Sequence, residues 1–187
     1  MIVLALSGSR NPRGQTARAV EAFVKGMEAG GCACETVFLP LLRIERCRQC
    51  DDSGWGPCRA EGRCVIADDF PALLEKLRKA DAVVFATPVY FGDLSESMKA
   101  FLDRLRRVTR NDTARPVVAD KPAAGICVAG GGGGGSPLCS FLLERTLSTC
   151  GFDVVDMTAV RRQNLAVKLR LLEAAGENLA AYRPSGG

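Results

Sequence analysis

The segment AVVFATPVYFGDLSESMKAFLDRL, residues 82–105, contains an apolar run, a polar loop and a helical pattern in succession. The run AVVFA (82–86) is typical of a buried β-strand because it is short and rich in valine and phenylalanine. Behind an N-cap at Ser95, apolar side chains recur with the spacing of one helix face, at Met98, Phe101, Leu102 and Leu105. The segment therefore predicts a strand, a loop and a helix that packs on a sheet.

The same alternation extends along the chain. Apolar runs occur at IVLAL (2–6), ETVFL (35–39), AAGICVA (123–129) and FDVVDMTAV (152–160), and helical patterns at 16–27, at 70–79, behind an N-cap at Ser136 to about 150, and from 164 to about 181. Parallel strands need crossover connections, which cover both faces of a sheet. We expect one α/β domain over residues 1–187, with a doubly wound five-stranded parallel sheet and helices on both faces. Ligands should bind in the loops after 6, 86 and 129, at the carboxyl ends of the strands.

The composition limits the chemistry that side chains can supply. The chain has a net charge of +4 and no histidine, which removes the usual general base and the usual Ser or Cys triads. The small net charge does not favour nucleic acid, and the apolar runs are shorter than the roughly 18 residues of a membrane span. We expect a cytoplasmic protein, without nucleic-acid or membrane partners, whose chemistry belongs to a bound cofactor.

The first of these loops, SGSRNPRGQT (7–16), predicts an anion site because it opens a helix whose unpaired amides and positive dipole end face the loop. The candidate ligands are the hydroxyls of Ser9 and Thr16, the amides around Arg13, Gly14 and Gln15, and the guanidinium of Arg10 or Arg13. The spacing fits neither a Walker A loop nor G-x-G-x-x-G, which favours a terminal monophosphate. A turn that only caps its helix is the alternative.

The second loop presents Tyr90 and Phe91 side by side at the end of a predicted strand, followed by Gly92. Exposed aromatic rings in this position favour stacking against a planar ring, whose polar edge could bond the amides from Val89 to Asp93. The alternative is that both aromatic side chains seal the helix against the sheet.

The third loop, AGGGGGGSP (129–137), has six consecutive glycines. Ordering such a run has a large entropic cost, whereas a backbone without side chains can pass over a flat ring. The pattern favours a loop that lies along a planar ligand, and a flexible linker is the alternative.

The stretch CRQCDDSGWGPCRAEGRC (47–64) contains four of the nine cysteines. A reducing compartment disfavours structural disulfides. Cys47, Cys50, Cys58 and Cys64 are therefore candidates for a [4Fe-4S] cluster, a zinc site, or free or reversibly oxidised thiols, and their spacing alone does not choose among these.

The second loop and the helix behind it resemble the motif TPxYFGxxSxxMKxFLDR of the flavodoxin-like NADPH-dependent FMN reductases, here Thr87 to Arg104. This family includes quinone reductases and iron-sulfur flavoproteins. The resemblance implies a flavodoxin-like fold that binds FMN, with the phosphate at Ser9 and Thr16. It implies that the flavin ring is held through Pro88, Val89, Tyr90, Phe91 and Gly92, and by a third loop of Ala129, Gly130, Gly131, Gly132 and Gly133.

Iron-sulfur flavoproteins of this family carry a compact CxxCxxC…GxC…DD segment, which the insert 47–64 and the following GRCVIADD (62–69) resemble. The resemblance assigns the [4Fe-4S] ligands to Cys47, Cys50, Cys58 and Cys64. The gap DDSGWGP (51–57) is longer than in that pattern.

The resemblance implies an FMN-dependent oxidoreductase, an iron-sulfur flavoprotein that passes electrons between a [4Fe-4S] cluster and FMN. The alternatives are a cluster-free NAD(P)H-dependent FMN or quinone reductase and a non-catalytic flavin-binding module. The expected partners are a small-molecule or protein electron donor or acceptor, with NAD(P)H as one such donor, and further copies of the chain in a homodimer or homotetramer.

Overall fold

Five parallel strands form one sheet in the order β2-β1-β3-β4-β5. The computed structural model describes residues 1–183. The strands are β1 (Ile2–Ser7), β2 (Ala33–Phe38), β3 (Ala82–Pro88), β4 (Pro122–Ala129) and β5 (Asp153–Arg161), and the helices are α1 (Gln15–Ala29), α2 (Pro57–Ala60), α3 (Phe70–Lys79), α4 (Glu96–Val108), α5 (Ser136–Cys150) and α6 (Leu165–Ala181). The strand order confirms the predicted doubly wound sheet, and it reverses between β1 and β3, where such sheets bind ligands.

Both faces of the three central strands, β1, β3 and β4, are buried, as predicted, whereas the edge strands β2 and β5 are partly exposed. Successive side chains of a strand point to opposite faces, so Leu4 and Leu6 pack in a cluster with α3, α4 and α5, whereas Val3 and Ala5 pack in a second cluster with α1 and α6. Each helix contributes one apolar face to these clusters. Within residues 1–183, no helix combines the length and the apolar character needed to cross a membrane.

The helix starts show which predicted caps form. The Ser95 side chain accepts a hydrogen bond from the Met98 amide at 3.4 Å, which confirms the predicted cap of α4. The predicted cap at Ser136 is wrong, because α5 starts one residue earlier than expected and Gly135, with φ of 80°, is its N-cap. Ser136 is instead the first helical residue, and its hydroxyl is buried without a hydrogen-bond partner among the described residues.

Helices α1 and α6 cross at two glycines. A Cβ built on Gly26 would overlap the Glu173 carbonyl oxygen, and a Cβ built on Gly176 would overlap the Phe23 carbonyl oxygen. The two backbones therefore touch, with no room for a methyl group between them. This contact fixes the position of α1, whose first turn opens towards the first loop.

Between β2 and α3 the chain forms a 3-10 turn at Leu39–Leu41 and one short helix, α2, and the cysteine-rich insert around α2 is otherwise irregular backbone. It packs against α4, since α2 lies in contact with α4 and the partly buried Cys58 and Cys64 join the cluster that contains Phe101 and Leu105. The predicted cysteine-rich loop after the second strand is therefore present, and it is supported by a helix of the main domain.

Gly176→Ala should destabilise the protein by roughly 1–3 kcal/mol, since overpacking forces backbone shifts of that cost. The measurement is urea unfolding followed by circular dichroism. Asn178→Ala, on the exposed face of the same helix, is the matched control and should change stability by less than about 0.5 kcal/mol. Equal stability of the two variants would contradict the tight crossing.

Candidate functional site

Three loops meet at the carboxyl edge of the sheet, and we call this region the three-loop edge: residues 8–14 after β1, 89–95 after β3 and 130–135 after β4. The Gly8 amide donates to the Ala86 carbonyl at 2.8 Å, and the Val89 amide donates to the Val128 carbonyl at 3.0 Å. Each bond joins one loop to the end of the neighbouring strand. The loops that the sequence singled out therefore lie side by side.

The first loop is organised by Asn11. Its carboxamide oxygen accepts from the Arg13 amide at 3.0 Å, and its carbonyl accepts from the Gly14 amide at 3.1 Å. The Ser9 hydroxyl accepts from the Asn11 amide at 3.3 Å. Two of the amides predicted to bind an anion, those of Arg13 and Gly14, therefore already have acceptors inside the loop.

The first turn of α1 remains open to an anion. Its N-cap residue, Gly14, has no side chain to bond the first amides, which begin at Gln15 and Thr16. Ser9 and Thr16 are buried, at 8% and 4% exposure, whereas Arg13 is exposed. The exposed Arg10 lies on the same loop. Buried hydroxyls, uncapped amides and exposed guanidiniums are groups that suit a phosphate.

The second loop is a tight turn with an unusual backbone. Tyr90 and Asp93 exchange two amide-to-carbonyl hydrogen bonds of 3.0 Å, and the residues between them, Phe91 and Gly92, both have positive φ, at 52° and 84°. A phenylalanine in this region is strained. The Phe91 side chain is fully exposed, so it does not seal a helix against the sheet, and Tyr90 is 47% exposed. The turn thus displays two aromatic rings at the three-loop edge.

The first and second loops fit together at Gly8. A Cβ built there would overlap the Ser95 hydroxyl, and the Gly8 carbonyl accepts from the Ser97 hydroxyl at 3.3 Å. The Ser95 amide donates in turn to the Thr87 hydroxyl at 3.0 Å. The start of α4 is therefore bonded both to β3 and to the first loop.

The third loop is tied down at two glycines. Gly135 approaches Gly92 so closely that an added Cβ would stand 2.8 Å from the Gly92 Cα. Near the other end, the Gln163 side chain donates to the Gly132 carbonyl at 3.2 Å and blocks any side chain at Gly133. These contacts favour an ordered loop over a flexible linker. Around Gly130, Gly131 and Gly132 an added Cβ meets no atom within 4 Å, so this stretch borders open space.

The four clustered cysteines line one pocket, which we call the cysteine pocket. Cys50 is exposed, while Cys47, Cys58 and Cys64 are partly buried. Burial raises the pKa of the Cys58 thiol, although the nearby Arg107 guanidinium acts in the opposite direction. Among residues 1–183, no group of three or more Cys, Asp or Glu side chains is arranged to hold a metal ion. The thiols share a pocket without forming a finished metal site.

A buried ion pair closes this pocket on the side of α4. The Arg104 guanidinium, 1% exposed, bonds both carboxylate oxygens of Asp68, 0% exposed, at 2.5 and 3.0 Å. It also donates to the Cys64 sulfur at 3.3 Å and stacks over the Phe70 ring. Arg107 donates to the Gly54 carbonyl at 2.5 Å. Two arginines of α4 therefore hold the cysteine-rich insert.

Asp68 remains ionised in this pair. Burial by itself would raise the pKa of its carboxyl, but hydrogen bonds from Arg104 and from the amides of Glu45 and Phe70 outweigh burial, so the pKa lies below its ordinary value of 3.8. The stability that this carboxylate contributes is therefore complete above pH 3.8 and is lost as the pH falls through the lowered pKa.

Residues 1–167 match the sequence profile of the NADPH-dependent FMN reductases. The chain belongs to this family.

Two curated relatives are iron-sulfur flavoproteins. One, from Methanocaldococcus jannaschii, is 31% identical over 131 residues, which cover 70% of this chain and 65% of the relative. The other, from Methanosarcina thermophila, is 30% identical over 135 residues, which cover 72% of this chain and 66% of the relative. The chain thus spans just under two thirds of the length of these relatives.

Solved structures confirm the flavodoxin-like fold. An NAD(P)H:quinone oxidoreductase from Methanothermobacter marburgensis has a TM-score of 0.74 at 21% identity, over 100% of this chain and 99% of that chain. An archaeal flavodoxin has a TM-score of 0.63 at 14% identity, over 97% of each chain.

The three-loop edge offers groups that suit a phosphate and a planar ring. The uncapped first turn of α1 suits the phosphate, and the glycines of the second and third loops leave backbone exposed where a planar ring could approach. The predicted residues from Ser9 to Thr16, Pro88 to Asp93 and Ala129 to Gly133 lie on this edge or on the adjoining ends of α1, β3 and β4.

Four further residues shape the three-loop edge and were missed by the sequence analysis. Asn11 has a sequence signal, since asparagine commonly bonds the backbone two residues ahead in turns. Gly8, Gly135 and Gln163 have none, because their importance comes from contacts with residues that are distant in the sequence.

Gly8→Ala should push the first loop away from Ser95 and weaken FMN binding about tenfold or more. FMN titration monitored by flavin fluorescence measures this effect. Thr149→Ala, which removes an exposed hydroxyl near the C-terminal end of α5, away from the three loops, is the control and should bind FMN like the unchanged protein. Full affinity in Gly8→Ala would show that the contact between the two loops does not matter for the cofactor.

Proposed function

We propose that the protein is an FMN-dependent oxidoreductase, and that its cysteine pocket holds a [4Fe-4S] cluster that exchanges electrons with FMN. The observation that carries the proposal is that one helix, α4, supports both sites. Ser95 at its start contacts the first loop, and Arg104 in its third turn contacts Cys64. With a rise of 1.5 Å per residue, these two positions lie about 14 Å apart along the helix.

At the three-loop edge, the chain binds and orients FMN. The Ser9 and Thr16 hydroxyls and the first amides of α1 hold the phosphate, with Arg10 and Arg13 neutralising its charge. The backbone from Pro88 to Asp93 faces the ring, and the glycines from 130 to 133 lie along it. When bound, FMN supplies hydride and single-electron chemistry, which is why the absence of histidine is no obstacle.

At the cysteine pocket, the donor set fits an iron-sulfur cluster. Four thiols line one pocket beside the guanidiniums of Arg104 and Arg107, which suit a centre of net negative charge. The buried Nε–H groups of both arginines have no acceptor among the described residues. The names of the two curated relatives support the same assignment. A bound cluster would supply one-electron transfer.

A cluster-free NAD(P)H-dependent FMN or quinone reductase is the second candidate function. The observation that favours it is that the described thiols are not arranged as a metal site. In this function the insert would be structural or its thiols reversibly oxidised, and NAD(P)H would reduce the flavin directly.

We also infer that the protein works as a homodimer or homotetramer. Phe91, Leu138 and Phe141 are each more than half exposed. Phe91 belongs to the three-loop edge, and Leu138 lies next to it, against Gly92. Exposed apolar side chains grouped in this way favour contact with a second copy. Light scattering on the FMN-loaded protein would measure its mass, and a monomer at all concentrations would contradict the inference.

Ser9→Ala and Thr16→Ala should each weaken FMN binding by about 1.5–3 kcal/mol, since each removes a hydrogen bond to a charged group. Thr149→Ala, which removes an exposed hydroxyl on α5, is the control and should leave FMN affinity unchanged. Flavin titration followed by fluorescence measures all three. Unchanged affinity in both test variants would show that the phosphate binds elsewhere.

Anaerobic purification should yield a brown protein with about four iron and four acid-labile sulfide per chain. Cys58→Ala should lose both while it keeps FMN, and Cys34→Ala, which alters a cysteine on the edge strand β2, should keep both. A yellow protein that contains zinc or no metal would support the cluster-free reductase. Bound flavin without turnover by NAD(P)H, ferredoxin or quinone would support a non-catalytic flavin-binding module.

A further inference from the structure

Arg104 is a charged residue with only 1% of its side chain exposed, and its hydrogen bonds all go to residues within or next to the cysteine-rich insert. Besides Asp68 and Cys64, its guanidinium donates to the Glu45 carbonyl at 3.1 Å. Asp68 in turn accepts from the Glu45 amide at 2.8 Å and from the Phe70 amide at 3.1 Å. One side chain therefore fixes the entrance of the insert, its last cysteine and the start of α3.

The geometry distinguishes Arg104 from an ordinary structural ion pair. The guanidinium uses one edge for the carboxylate and still reaches the Cys64 sulfur with Nη2. Its Nε–H is buried without an acceptor among the described residues. An unpaired buried donor is costly, and it indicates a group that the pocket is built to receive.

We propose that Arg104 is a positioning residue for the centre that the four thiols ligate: it fixes Cys64 as the fourth ligand and provides positive charge and N–H donors to the sulfur atoms. This inference rests on the proposed cluster. Hydrogen bonds to the sulfurs and nearby positive charge favour the reduced, more negative state of an iron-sulfur centre. Arg104 should therefore raise the reduction potential of the centre.

Arginine suits this role better than lysine. The planar guanidinium bonds both oxygens of Asp68 and keeps a further N–H for Cys64. A lysine ammonium is compact and sits on a flexible side chain, so it cannot hold the three acceptors in the same fixed geometry. Arg104→Lys should therefore keep the charge and lose the fixed geometry, which separates the two contributions.

The experiment compares Arg104→Gln, Arg104→Lys and Arg106→Gln with the unchanged protein, each loaded with FMN and reconstituted anaerobically with iron and sulfide. The matched control, Arg106, is two residues further along α4, is 41% exposed and pairs with Asp103. The measurements are iron content, FMN content and the reduction potential of the centre by spectroelectrochemistry.

In Arg104→Gln, reduction of the centre should become about tenfold less favourable, a shift of about 59 mV for one electron. Arg104→Lys should shift less, and Arg106→Gln should keep the original potential. A role limited to stability would lower the melting temperature without moving the potential. Equal potentials in Arg104→Gln and the unchanged protein would overturn the inference, and if the glutamine variant does not fold, the same comparison with Arg104→Lys decides.

Failure of the proposed cluster would be recognised separately, because the unchanged protein would then retain no iron after reconstitution. In that case, amide hydrogen exchange of the FMN-loaded, metal-free proteins tests whether Arg104 positions Cys64. Faster exchange at residues 43–50 and 64–70 in Arg104→Gln, and not in Arg106→Gln, supports the positioning of Cys64. Equal exchange in all proteins rejects it.

Discussion

The buried ion pair between Arg104 and Asp68 holds the cysteine-rich insert against α4. The spacing between the cysteine pocket and the three-loop edge depends on this contact. Both side chains are removed from water, so loss of either partner would leave an uncompensated charge at a cost of roughly 3–5 kcal/mol. The other ion pairs of the described chain lie at least partly in solvent and contribute much less. The Asp68 carboxylate also bonds two backbone amides, so the pair is fully satisfied on its acidic side.

Helix α4 connects this contact to the three-loop edge. Its first turn is held by Ser95, which is bonded to Thr87 and packed against Gly8. Its third turn carries Arg104, which holds the insert. A helix has a fixed length and does not compress, so the spacing between the three-loop edge and the cysteine pocket is set by the number of residues between these turns. Under the proposed function, this spacing would keep FMN and the cluster at a constant separation.

Much of the fold could be predicted from local patterns. The strand and helix bounds follow the apolar periodicity closely, and the Ser95 cap and the open first turn of α1 were both predictable because they depend on residues near in sequence. Predictions became less reliable where two distant segments meet. The Arg13 and Gly14 amides were candidate anion donors, yet Asn11 already engages them, and the expected cap at Ser136 is replaced by Gly135 because α5 begins against the second loop.

The sequence by itself determined the class of fold, the three loops, the cluster of cysteines and the expectation of FMN. These features could be recognised because hydrophobic periodicity and short motifs involve residues that are close together in the sequence. Only the tertiary structure decided that Phe91 points into solvent, that Gly8 and Gly135 are close-contact positions, and that Arg104 reaches Cys64. These features depend on backbone paths that approach each other across long stretches of chain. No local pattern encodes such distances, since they are set by the packing of whole helices on a twisted sheet.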